Sequence, residues 1–341
     1  MNKITEEEEQ VYDRQIRLWG LDAQNRLKNA KVLIIGINGL SCEVIKNLVL
    51  TGINKIALCD DLNVNEEDIN NNFLIERSSI GENRAYAAKS RVENLNPRVI
   101  VEVYNHMPFE ICDNINNKLT IEEFDIVVCC TSYIPSFKDN LWLNLNEKCR
   151  KYNKSFFGMD SFGWNGIMFV DLAHHEYVRE EIEMQKPGEK PANNPSKWIS
   201  EVLEFCSFDK VLQIDWSLAS HARKLKRIPK LQFIMLAMYN FVSETHNYAT
   251  GTDISAIFDT WQAFAVKHGL DINLLDISDF EECIGVGNVP VNAVLGGLVT
   301  QEIIKFQIVN SHSCGHARIN PCKYQHEMCK TNCFVQFLFC N

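Results

Sequence analysis

The sequence predicts an α/β fold with a doubly wound, mostly parallel sheet, an antiparallel extension and C-terminal helices. Three observations predict it. Val32 to Ile35 and Phe124 to Cys130 (FDIVVCC) are largely apolar runs of strand length, as expected for strands buried on both faces of a parallel sheet. The glycine turn Gly36-Ile37-Asn38-Gly39-Leu40-Ser41 leads from the first run into Leu40, Val44, Leu48 and Val49 at helical spacing, and Thr51-Gly52 closes that helix. Ile56 to Cys59 is a second apolar run, and it ends on Asp60-Asp61. A strand, turn, helix and strand ending in acid make up the unit of a Rossmann-like nucleotide-binding fold.

The elements follow in order. Residues 1–10 read as an acidic flexible tail or the start of a helix, and Val11 to Leu27 as short helical pieces broken at Gly20, with Ile16, Trp19 and Leu27 able to pack and Arg14 and Arg17 left polar. After the opening unit comes a polar stretch, Leu62 to Asn72. Ala85 to Leu95 is a helix stopped by Asn96-Pro97. Val99 to Tyr104 alternates as a strand, a helix runs through Cys149-Arg150 after FDIVVCC, and Ser155 to Met159 is a further strand. Gly166 to Asp171 and His174 to Tyr177 suggest short antiparallel strands. Gln185 to Lys197 holds three prolines, and 178–212 reads as a linker-like insertion with one more strand at Val211 to Asp215. Helices are expected at Leu231 to Glu244, Thr252 to His268, Asp279 to Gly285 and Asn292 to Phe306. The last contains Gly296-Gly297, which a helix tolerates best where another backbone packs closely. The tail 309–341 shifts abruptly to a Cys/His-rich composition.

Composition narrows the function classes. A net charge of −10 over 341 residues argues against a general nucleic-acid surface. The one basic cluster, Arg223, Lys224, Lys226 and Arg227, reads as a solvated helix face. No apolar run reaches the ~20 residues of a membrane span. The opening MNKITEEEEQ is not a secretory signal, so thirteen cysteines are expected as reduced thiols inside the cell, in nucleus or cytoplasm.

The glycine turn departs from G-x-G-x-x-G at Asn38 and Ser41, and side chains there limit close approach of a phosphate. Gly36 and Gly39 therefore fit either a nucleotide site or plain structural use. Asp60 and Asp61 fit a ribose contact or a turn cap. His174-His175-Glu176 lies in a strand, where neighbours face opposite ways, and makes no joint metal site. Cys314, His316, Cys322, His326, Cys329 and Cys333 are zinc-type ligands at spacings that match no common zinc pattern, and no metal site is assigned. Cys129-Cys130 reads as core, and Cys206 has no adjacent histidine to activate it.

At Tyr12-Asp13-Arg14-Gln15-Ile16-Arg17-Leu18-Trp19-Gly20 the sequence resembles the activating enzymes of ubiquitin and its relatives, which share the ThiF-like adenylation fold. Leu21-Asp22-Ala23-Gln24-Asn25-Arg26-Leu27 is similar to the small-subunit class of the heterodimeric SUMO-activating enzymes. The resemblance continues through Phe73-Leu74-Ile75, Ile80 to Ala85, Asn94 to Pro97, Phe156-Phe157-Gly158, Asp215-Trp216-Ser217 and Pro290 to Lys305. It covers residues 11–308.

The resemblance implies two paired adenylation folds. One binds ATP and magnesium and adenylates the modifier's C-terminal glycine, and the other keeps the architecture alone. This chain matches the second kind. Asn71 stands where active members carry a phosphate-engaging Arg, Arg84 matches their phosphate-binding Lys, and Thr131-Ser132-Tyr133-Ile134 lacks the magnesium-binding Asp. Gly36, Gly39, Asp60 and Arg84 would then outline a vestigial nucleotide cleft. Arg14 matches the arginine that such subunits insert into the partner's active site near the ATP phosphates. ATP and magnesium are expected on the partner and no cofactor on this chain. The implied partners are a large subunit carrying the catalytic cysteine, SUMO and, indirectly, the SUMO-conjugating enzyme. An equivalent subunit for another ubiquitin-like modifier, a self-sufficient adenylyltransferase and a nicotinamide-dependent dehydrogenase are the alternatives.

Overall fold

The structure, a computed structural model, describes residues 3–106, 119–130, 141–181, 197–214, 216, 228–245, 251–281, 283, 288–309 and 338–339. The N-terminal segment forms three short helices, α1 (Glu6–Val11), α2 (Asp13–Trp19) and α3 (Leu21–Leu27). The sheet is then laid down by β1 (Lys31–Ile35), β2 (Lys55–Cys59), β3 (Ile100–Tyr104), β4 (Ile126–Cys130), β5 (Ser155–Phe162) and β6 (Asn165–Asp171). Between them run α4 (Gly39–Thr51), α5 (Glu66–Asn71), α6 (Arg84–Leu95) and α7 (Leu141–Lys151). A ribbon of β7 (His174–Glu181) and β8 (Lys197–Glu204) follows, then α8 (Phe208–Leu212), α9 (Lys230–Thr245), α10 (Ile254–Lys267), α11 (Ile277–Glu281), α12 (Val289–Val309) and β9 (Leu338–Phe339).

The main sheet has the order β3-β2-β1-β4-β5-β6-β9. The first five of these strands pair in parallel, whereas β5–β6 and β6–β9 are antiparallel. Strand order reverses between β1 and β4, the switch point at which such sheets open a crevice. Side chains alternate across the sheet. Val32, Ile34 and Val128 join a buried cluster with α4, α6 and α12, while Leu33, Ile35 and Val127 join the cluster of α7, α9 and α10.

Several expectations need correction. Of the two readings of residues 1–10, the structure takes the helix, with α1 starting at Glu6. Thr5 and Glu8 form a reciprocal capping box, four glutamates occupy the positive end of the helix dipole, and Lys28 ties Glu8 to α3 at 2.5 Å. The stretch 178–212 is not a plain linker: Val178–Glu181 continues β7 and pairs with the start of β8. The strand expected at Val211 is instead the helix α8, capped by Ser207 and anchored by buried Phe208 and Val211. Short apolar runs carry no period long enough to separate the two states. The tail's Leu338 and Phe339 add an edge pairing to β6. The Gln185-to-Ser196 loop, Thr131 to Ile134, the basic cluster Arg223 to Arg227 and the tail's cysteines and histidines lie outside the described residues.

The helical glycines separate cleanly. A Cβ at Gly296 would sit 2.6 Å from Glu43 Cβ, because α12 runs tightly along α4, whereas one at Gly297 would meet nothing within 4 Å. Gly297→Ala is expected to raise stability by up to about 1 kcal/mol, and Gly296→Ala to lower it by ~1–3 kcal/mol. Urea denaturation midpoints check both.

Candidate functional site

The crevice at the switch point is built by the glycine turn. Gly36 adopts φ +86, which only glycine takes without strain, and turns the chain from β1 into α4. Asn38 is the N-cap of α4, and its Oδ1 accepts from the Leu40 and Ser41 amides at 2.9 and 3.0 Å. Ser41 Oγ in return accepts from the Asn38 amide at 2.8 Å. Asn38 Nδ2 donates to the Cys130 carbonyl at 3.1 Å and the Cys130 thiol lies 3.2 Å from Asn38 Oδ1, so the turn is stitched to β4 across the switch point. The departures Asn38 and Ser41 are thus one capping unit.

Gly39 is equally committed. A Cβ there would lie 2.7 Å from the Asn71 carbonyl and 2.8 Å from Asn292 Nδ2, so α5 and α12 already stand over the turn. Asn292 is held by Ser161, whose hydroxyl donates to its Oδ1 at 2.6 Å. Asp160 beside it is buried, and that burial pushes its carboxyl well above the usual range.

Asp60 resolves toward the turn cap. Its carboxylate accepts from the Ile37 amide at 2.6 Å and the Leu62 amide at 2.8 Å, and it is 3% exposed. Burial outweighs these two amides and Arg84, and raises its pKa to about 6. Arg84 is also spent inside the fold: its Nε donates to Asp68 Oδ2 at 2.8 Å, with both side chains under a tenth exposed. Gly36, Gly39, Asp60 and Arg84 do converge on one crevice, but the chain itself takes the groups that a nucleotide would use. These residues do not fit ATP.

On the ribbon, exposed His174 pairs with Glu204, while His175 packs on Phe306 and burial lowers its pKa to about 4. They face opposite ways, as expected for a strand. Among the described residues no group of three metal-ligating side chains occurs, and the seven cysteines there are free of disulfides.

Arg14 sits elsewhere. The N-terminal motif is fastened to the C-terminal end of α4, where four carbonyls lack helical partners. Thr51 Oγ1 donates to Leu48 O (2.7 Å), Asn96 Nδ2 to Val49 O (2.9 Å), Gln15 Nε2 to Leu50 O (3.2 Å) and Gln24 Nε2 to Thr51 O (2.7 Å). Trp19 Nε1 holds Gln24 by its Oε1 at 2.8 Å. Sequence reading missed this network. Its signal was polar amides at 15, 24 and 96, inside or ending helices, where solvent exposure is the default assumption. Arg14 is exposed, and its side chain makes no hydrogen bond or ion pair with any described residue. It belongs to the end of α4 opposite the glycine turn, and 13 helical residues separate the two by about 20 Å.

The sequence of residues 12–333 matches the ThiF family. The chain belongs to the ThiF family. Among its relatives, SUMO-activating enzyme subunit 1 of Xenopus laevis is 36% identical over 89% of each chain. The Homo sapiens protein of the same name is 32% identical over 89% of this chain and 88% of its own. The crystal structure of PaaA superposes with a TM-score of 0.53 at 16% identity, covering 92% of this chain and 78% of that one, which supports the fold alone.

Two outcomes test the internal roles. Arg84→Ala is expected to cost ~3–5 kcal/mol by leaving Asp68 buried and unpaired, read from the urea midpoint. A nucleotide-only role would leave that midpoint in place. For Asp60, the folded chain holds a proton up to about pH 6 that the unfolded chain loses near pH ~4. Its contribution is therefore full below that lower value and is lost as pH rises. The stability gap between wild type and Asp60→Asn should narrow across that window, and a widening gap contradicts the assignment.

Proposed function

We infer that this chain is the small, non-catalytic subunit of a heterodimeric SUMO-activating enzyme. Its larger partner binds ATP and magnesium, adenylates the SUMO C-terminus and receives SUMO on its cysteine as a thioester. The similarity, over 89% of this chain, to proteins named SUMO-activating enzyme subunit 1 supports the modifier and the class of reaction. The observation that carries the division of labour is the placement of Arg14, about 20 Å along α4 from the chain's own turn and without a bonding partner among the described residues. An arginine so placed cannot serve the turn at the other end of α4, so it is available to a second subunit.

In that role Arg14 enters the partner's active site from outside. A guanidinium is always charged and offers paired donors to phosphate oxygens. It stabilises the charge that gathers on pyrophosphate as SUMO's carboxylate displaces it at the α-phosphate. The rest of the chain contributes a rigid pairing face. The filled crevice weighs against the self-sufficient adenylyltransferase, and its fit against a dehydrogenase is poorer still. The chain would act with SUMO and the large subunit in nucleus and cytoplasm, and hand product on to the SUMO-conjugating enzyme. No helix of the described residues is long and apolar enough to cross a membrane.

In the reconstituted heterodimer, Arg14→Ala is expected to lower SUMO-adenylate formation at limiting ATP about tenfold or more, equivalent to ~1.4 kcal/mol of transition-state stabilisation. Unchanged adenylate formation would sink the trans-arginine role.

A further inference from the structure

We propose that Tyr12 is the positioning residue that fixes where Arg14 is presented. This rests on the trans-arginine reading above and adds the device that aims the side chain.

Tyr12 is the joint between α1 and α2, serving as the C-cap of one and the N-cap of the other. Neither helix buries a residue of its own. Between Lys3 and Asp22, Tyr12 is the one buried side chain among the described residues. Its ring lies over Gly52, the αL residue that ends α4 at φ +79. A Cβ on Gly52 would fall 2.4 Å from the Tyr12 ring carbon Cζ and hydroxyl, so this glycine is required both for its backbone and for the space it leaves. The Tyr12 hydroxyl accepts from Asn96 Nδ2 at 2.9 Å, and the same amide group donates to the α4 carbonyl of Val49. One ring therefore locks the N-terminal helices to both α4 and the end of α6.

Helix geometry converts that lock into an aim. Successive residues turn by about 100°, so residues two apart point to opposite sides and residues three or four apart share a side. Gln15, three on from Tyr12, is on the inner side and donates to Leu50 O. Arg14, two on, is driven outward, beside exposed Val11 and Leu18, which are 56% and 71% exposed. Burying Tyr12 against Gly52 thus leaves Arg14 on the outer face. Without the ring, Gln15 would be the one side chain of α1 and α2 hydrogen-bonded to α4 among the described residues.

The test is a double-substitution cycle in the intact heterodimer, reading SUMO-dependent pyrophosphate exchange against ATP. Tyr12→Ala is expected to lower the rate about tenfold with Arg14 present, and by less than about twofold when added to Arg14→Ala, because the two act as a unit. Tyr12→Phe, which keeps the ring over Gly52 and loses only the Asn96 bond, is expected to retain most of the rate. Equal losses from Tyr12→Ala with and without Arg14 would show a merely structural role and overturn the proposal, as would full activity of Tyr12→Ala beside an impaired Arg14→Ala. If Tyr12→Ala does not assemble with the partner, Gly52→Ala, which displaces the ring, replaces it in the cycle. A loss that depends on Arg14 then supports the aiming role, and an equal loss with and without Arg14 overturns it. A silent Arg14→Ala overturns the trans-arginine reading itself, a result distinct from failure of the aiming device.

Discussion

Everything about this chain turns on how the two ends of α4 are satisfied. A helix leaves four amides and four carbonyls without partners, and buried ends must find them elsewhere. At the N-terminus, where a nucleotide-binding fold presents those amides to phosphate, Asn38 Oδ1 accepts from two of them, Leu40 and Ser41, and Ser41 Oγ accepts from the N-cap amide of Asn38. At the C-terminus, Thr51, Asn96, Gln15 and Gln24 cover the last carbonyls. The first arrangement ties the glycine turn to its neighbours and the second attaches the N-terminal motif that carries Arg14.

The ties at the turn are distributed. The reciprocal bonds between Asn38 and Cys130, the carbonyl of Asn71 over Gly39, the two amides on Asp60 and the Asp68–Arg84 pair each commit a group around the glycine turn to a contact within the chain. Buried polar groups held this way cost stability when one partner is removed, which makes them part of the integrity of the fold. The Arg14 end is held by the Tyr12 ring, by the amide side chains of Gln15 and Gln24 and by the Glu8–Lys28 ion pair.

The parallel strands were legible in the sequence because apolar runs such as Val32 to Ile35 are buried on both faces, and so was the opening helix, whose apolar spacing and Gly52 stop are local signals. The α8 helix was not, and the first helix stood beside a flexible tail as one of two readings. Phe208–Leu212 is too short to show a period, and a capping box among four glutamates reads as plain acidity until Lys28 is seen beside it. At the site, Asn38 and Ser41 were visible as departures from a fingerprint. Their joint use as a cap depends on rotamers that sequence does not display. Asp60 stayed open between ribose and turn cap because the deciding partners, Ile37 N and Leu62 N, are backbone groups. Gln15, Gln24 and Asn96 were hidden for a further reason: their partners lie 27 to 47 residues away along the chain.

The central claim is that this chain keeps the adenylation fold but lends its chemistry to a partner's nucleotide. Calorimetric titration of ATP and magnesium tests it most directly, first into this chain alone and then into the heterodimer with the larger subunit. The expected result is no binding to the chain alone and one ATP per heterodimer. Binding to the isolated chain, with two ATP per heterodimer, would contradict it.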